Sequence, residues 1–105
     1  MIARVWSAEA TPDHAPAYVD HLSKVVLPAI RKTQGYAGAM LLQRPAGAAI
    51  EIIVITYWRS LDALHGFAGA DLEKAVVATD AVALLTRFDE RVRHYEVAVH
   101  DDVMQ

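Results

Sequence analysis

The sequence contains no cysteine, which removes disulfides, thiolate nucleophiles and zinc–thiolate centres together and fits a reducing compartment. Long apolar runs are missing too. Nothing approaches the roughly 18 residues that a membrane span requires, and Arg4 stands where the apolar stretch of a secretory signal would begin. Both absences predict a cytoplasmic protein with no membrane partner. Basic residues are scattered, ten against thirteen acidic ones for a net charge of −3, so the clustered Lys and Arg that release counterions from a nucleic acid are lacking and no nucleic-acid partner is expected. The five glycines are isolated at turns and build no phosphate loop. Ser7, Ser23 and Ser60 have no neighbouring His and acid to activate them as nucleophiles.

What is present is apolar. Hydrophobic residues make up 54% of the 105 and charged ones 22%, enough to bury a core in one domain, here taken as residues 1–100 with a short acidic tail over 101–105. Residues 1–10 read as a strand that stops at Thr11-Pro12-Asp13, where Thr11 offers a helix cap and Pro12 fits the first helical position. Tyr18, Leu22, Val25, Val26, Ala29 and Ile30 then recur at helical spacing. Pro28 inside that pattern predicts a kink or break near Val26-Leu27, and Gly35 predicts the end of the helix.

Residues 36–44 and 50–58 are β-rich runs joined by a Pro/Gly connection, which predicts an antiparallel hairpin. Ser60 offers a cap to a short helix ending at Gly69, and Asp71 offers another to residues 72–79, with Asp80 starting a further turn. Residues 91–99 read as a closing strand, with Tyr95, Val97 and Val99 on one face and His94 and Glu96 on the other. The order is β-α-β-β-α-β, an α+β chain of ferredoxin-like type with an antiparallel sheet. Residues 50–58 are apolar on both faces, whereas a sheet with one wet face alternates; a second copy of the same sheet would cover the spare face, which predicts a homodimer through the β-sheet. The same fold order occurs in RNA-binding modules, but residues 50–58 lack the basic, aromatic character those need.

In this order the chain resembles the antibiotic-biosynthesis-monooxygenase-like family of dimeric α+β barrels. The resemblance spans nearly the whole sequence and is carried by residues 1–6, by Trp58-Arg59-Ser60-Leu61-Asp62-Ala63-Leu64, by Phe67-Ala68-Gly69-Ala70-Asp71 with Lys74-Ala75-Val76, and by His94-Tyr95-Glu96-Val97. It implies cofactor-free oxygenation of polycyclic aromatics or quinols, or haem degradation, or no assigned activity. The haem-degrading members use an Asn on the first strand and a Trp and a His on the second helix. Here Phe67 and Val77 stand at the last two positions, the first falls near Trp6, and the chain contains no Asn. The resemblance therefore implies neither haem nor any other cofactor. Oxygenation of a deprotonated, electron-rich substrate asks less of a protein: an apolar pocket and one or two polar groups that hold the anion.

Arg4 shares a strand face with Ile2 and Trp6, the face that by resemblance meets the helices, so it is a candidate to hold a phenolate or carboxylate. Its bland alternative is an edge residue whose head reaches water or pairs with Glu96. His94 beside Glu96 forms a candidate acid–base pair, against a merely hydrogen-bonded structural histidine. His14, Tyr18 and His21 fall on one helix stripe, but histidines two turns apart make a poor metal site, and no metal is expected; Tyr18 is placed inward with the two histidines at the rim. Trp6, Trp58 and Phe67 are the aromatic candidates for lining a pocket, with Tyr18 and Glu96 completing the substrate-binding set. The resulting expectation is a cofactor-independent monooxygenase-like protein holding a small aromatic or quinol-type molecule, with Arg4 and His94 as its catalytic residues. Its rival is a non-catalytic ligand-binding or stress-associated barrel whose pocket is closed by Trp6 and Phe67.

Overall fold

The computed structural model describes residues 1–102. Of the acidic tail expected over 101–105, Asp101 and Asp102 are exposed and the remainder lies outside the described residues. Strand β1 (Ile2–Ala10) runs down the middle of a five-stranded antiparallel sheet, with β3 (Ala49–Trp58) along one side and β2 (Tyr36–Ala46) outside it. On the other side of β1 lie two short strands end to end, β4 (Arg87–Phe88) and β5 (Arg93–Glu96). This is the ferredoxin-like arrangement expected from the sequence. The β2–β3 connection is tighter than the sequence indicated: Ala46 already pairs with Ala49, and Gly47 at φ +63 takes the first place of a two-residue loop where only glycine sits without strain.

One face of the sheet is covered by helices. Along β3 the residues Ile52, Val54, Thr56 and Trp58 are buried while those between them are only half-buried, the period-two signature of a strand with two unequal faces. Two apolar clusters fill the covered side, one around Ala10, Tyr18, Leu22, Ile52 and Val54 and the other around Ile30, Trp58 and Leu64.

The first helical region departs from expectation at both ends, and its middle is interrupted where the sequence indicated. Thr11 does not cap the helix; its hydroxyl accepts from the His14 amide in a preceding turn, and helix α1 (Ala15–His21) begins beyond it. Pro28 interrupts the α-helix where the sequence placed a kink or break, at Val26-Leu27, without ending the helical rod. Its ring would collide with the Lys24 carbonyl of a regular helix, and the chain absorbs the misfit as a π-helical turn over Leu22–Val26, in which the Leu27 amide donates to the Leu22 carbonyl five residues back. Helix α2 (Leu27–Ile30) then completes the rod, four residues short of Gly35.

Helix α3 (Leu61–Ala68) matches the sequence, with the Ser60 hydroxyl accepting from the Ala63 amide and Gly69 at φ +82 closing it. The helix expected over 72–79 is absent. Asp71 does not cap it, because its carboxylate takes two hydrogen bonds from Arg91 instead. The backbone that follows is committed sideways: the Ala75 amide donates to the Glu90 carbonyl and the Val92 amide to the Glu73 carbonyl. Those bonds also explain why the closing strand is divided into β4 and β5, since residues 90–92 leave β1 to pair with 73–75. Only a short helix, α4 (Thr79–Val82), follows, near the turn expected at Asp80.

Candidate active site

Between the sheet and the helices lies an apolar cavity of about 310 Å³, at the small end of the roughly 300–1,000 Å³ that ligand sites occupy. Its floor is β1 and β3, contributing Arg4, Trp6, Val54 and Thr56; Tyr18, His21 and the π turn form one wall, and Phe67 with residues 76–78 the other. Val25 and Val76 line it while more than half exposed, so they frame its mouth.

Arg4 dominates the electrostatics. It is 5% exposed, and none of the ion pairs among the described residues includes it. Its guanidinium is held by neutral partners: Nη1 donates to the Leu72 carbonyl at 2.6 Å and Nη2 to the Lys74 carbonyl at 2.7 Å, while Nη1 lies 2.9 Å from His94 Nε2. Since a guanidinium has only hydrogens to give, that contact makes His94 Nε2 the acceptor and His94 a neutral imidazole. The Arg4 carbon Cζ sits 5.6 Å above the centroid of the Phe67 ring, a cation–π arrangement. Burial lowers the Arg4 pKa from its ordinary value, yet a guanidinium, the strongest base among the side chains, keeps its charge. A buried cation without a counter-ion is thus built into the cavity wall.

The aromatic residues divide into wall and support. Trp6 lies on the wall, its Nε1 donating to the Asp89 carbonyl at 2.8 Å and its ring 6.1 Å from that of Tyr18. Tyr18 is buried, and burial pushes its hydroxyl pKa up to about 12, so it stays a neutral phenol. Phe67 is on the wall as well. Trp58 is not; it is wholly buried behind Phe67, stacked on it at 4.9 Å, with its Nε1 donating to Thr56 Oγ1.

His94 stands opposite Arg4 in the β1–β5 register, half-buried and outside the cavity lining. Glu96 is exposed, across from Ile2, and Arg4 reaches neither it nor water, contrary to the alternative considered from the sequence. The structure therefore brings together Arg4, Trp6, Tyr18 and Phe67, places His94 behind Arg4, and leaves Glu96 outside. One residue expected at the rim belongs to the wall. His21 lines the cavity, and its Nε2 is shielded from solvent with no hydrogen-bond partner among the described residues. Its position three residues after Tyr18 was the available signal. His14 is exposed, and no group of three metal-ligating side chains exists among the described residues.

Comparison with known proteins gives this geometry a context. No curated protein matches the sequence. Solved structures match across nearly the full length: a candidate antibiotic biosynthesis monooxygenase from Deinococcus radiodurans at 18% identity, 100% of both chains and a TM-score of 0.65; the haem degrader MhuD from Mycobacterium tuberculosis, with two haems in its active site, at 19% identity, 97% of this chain and 100% of that one, and a TM-score of 0.62; and the monooxygenase ActVA-Orf6 of Streptomyces coelicolor, in complex with nanaomycin D, at 16% identity, 99% and 91% coverage and a TM-score of 0.61. At these identities the likeness concerns the fold. The sequence match is more direct, for the profile described as antibiotic biosynthesis monooxygenase covers residues 1–79, from β1 through the far wall of the cavity. The chain belongs to the antibiotic biosynthesis monooxygenase family.

Proposed function

We propose that this protein is a homodimeric, cofactor-independent monooxygenase-like protein that takes one small aromatic or quinol-type molecule into the cavity of each subunit. The observation that carries this reading is the uncompensated Arg4 guanidinium in a largely apolar wall. A flat apolar body satisfies the wall, and an anionic oxygen satisfies the charge. Structural neighbours with nanaomycin D and with haem in their sites support a ring-shaped ligand. Haem degradation is a poorer fit, since Phe67 and Val77 place apolar side chains on the wall where the haem-degrading members carry Trp and His.

In this reading Trp6, Tyr18 and Phe67 shape the pocket, Trp58 stiffens Phe67 from behind, and Arg4 holds the substrate's oxyanion. The anion is the electron-rich form that reacts with dioxygen, and an apolar enclosure strengthens its attraction to Arg4 by keeping water out. His94 acts through Arg4 as a positioning residue. The open cavity counts against the rival in which Trp6 and Phe67 fill the space.

The dimer is supported by the sheet's uncovered face. Met40 and Leu42 on β2 are 43% and 46% exposed, and they pair with Ile55 and Ile53 on β3. The test of function is oxygen uptake by the purified protein across dihydroxyaromatics, quinols and anthrone-like compounds. Uptake should fall by tenfold or more in Arg4→Ala, in line with the loss of a charge-assisted hydrogen bond, and fall less in His94→Ala. Silence of the wild type across the panel would remove the oxygenase reading.

A further inference from the structure

A phenol bound against Arg4 as its anion must surrender a proton, and the cavity wall offers few acceptors. Arg4 and the Trp6 indole are donors only. Thr56 Oγ1 already accepts from Trp58. His94, the histidine that the sequence singles out, is off the wall, and its Nε2 lone pair is engaged by Arg4 Nη1. A Tyr18 hydroxyl that stays neutral can share a hydrogen bond but does not remove a proton.

His21 remains. It is the imidazole on the wall, and its Nε2 is buried with no partner among the described residues. A buried ring nitrogen left unpaired is costly, so its retention at a cavity wall calls for a partner that arrives from outside the chain. The local backbone suits the task. His21 closes α1 where the π turn begins, and π turns of this kind are frequent at functional sites. The Nε2 atom is closed off as the ring stands, so this role requires the imidazole to turn about χ2, a torsion that is broad in histidine.

We propose that His21 is the group that takes the proton of the bound hydroxyl. The ligand O–H bond breaks, its electron pair stays on the oxygen, the proton joins the imidazole Nε2, and the oxyanion rests against the Arg4 guanidinium. The proposal depends on the reading of the cavity as a site for a hydroxylated aromatic, and the two can fail separately.

The test uses 4-cyanophenol, mostly un-ionised in neutral buffer and with an ultraviolet band that moves on ionisation, and its methyl ether, which has no proton to give; the free compound's own phenolate band is subtracted. Both are titrated at neutral pH into the wild type, His21→Phe and His21→Gln. The wild type is expected to favour the phenol over the ether by tenfold or more and to hold it as phenolate. His21→Phe should lose most of that preference while binding the ether as before. His21→Gln, which offers a hydrogen bond but no base, should bind the phenol in its protonated form. A phenolate band that persists in both variants, or a protonated phenol in the wild type, overturns the assignment to His21 and leaves the aromatic site standing. Failure of the wild type to bind either compound overturns the aromatic site and this proposal with it.

Discussion

Arg4 and His94 form a pair in which the charge of Arg4 fixes the state of His94. The guanidinium cannot shed its proton, so the imidazole beside it must stay neutral to accept from it. The His94 pKa is accordingly lowered, first by burial and second by the Arg4 charge, with Glu73 pulling the other way. With a folded value below the unfolded one of about 6.5, the stability contributed by neutral His94 is complete above that pH and is lost as pH falls through the lower, folded value. Imidazole resonances followed by NMR should show His94 titrating below the ordinary histidine range, and Arg4→Met should move it only part of the way back, because burial remains. A His94 titration that Arg4→Met leaves in place would sink the coupling. The sequence brought Arg4 to the helix-facing side of β1 and His94 to the closing strand. It offered Glu96 as the partner because the two-residue pleat keeps His94 and Glu96 on one face, whereas the register set His94 against Arg4 and Glu96 against Ile2.

At the scale of elements, tertiary contacts decided the form that local signals took. Local signals favoured a capped helix over 72–79, and tertiary bonds from Arg4, Glu90, Arg91 and Val92 drew that backbone into an irregular strap that became the far wall of the cavity. Pro28 signalled a kink or break near Val26-Leu27, and the α-helix is interrupted there by one π turn, while packing of Leu22 and Ile30 into the core keeps the rod continuous. The approach of α3 to the helix–strand turn imposes a sharper condition. Gly35 sits at φ +85, and a Cβ there would collide with the Ala63 Cβ. Gly35→Ala is expected to cost more than about 1 kcal/mol in urea unfolding. Gly66, inside α3 with open space where its Cβ would stand, gives the opposite sign: Gly66→Ala should add about 0.5–1 kcal/mol. Equal effects at the two positions would contradict the packing described.

The whole molecule is lopsided: helices cover one face of its sheet and leave the other apolar. Tyr95 on β5, 52% exposed, stands across from Ala3, extending that surface beyond Met40 and Leu42 to the opposite edge. A contiguous patch of this kind is expected to be buried by association. Sedimentation of the wild type should give a dimer, and the double substitution Met40→Lys, Leu42→Lys should give a folded monomer, because two ammonium groups facing their own copies cannot be desolvated without partners. A wild-type monomer at micromolar concentration would remove the sheet-to-sheet dimer.

Taken alone, the sequence determined the order of strands and helices, the hairpin, the Ser60 cap, the apolar character of both faces of β3 and the family, because these follow from periodicity and short-range chemistry. It also brought Arg4, Trp6, Tyr18 and Phe67 toward one side of the sheet. Only the tertiary structure decided what those residues meet: two carbonyls and an imidazole around Arg4 in place of a carboxylate, Trp58 behind Phe67 and not beside a ligand, and His21 in the wall. The partners around Arg4 lie as many as 90 residues away, and neither a strand's period of two nor a helix's of 3.6 carries information about a neighbour at that range.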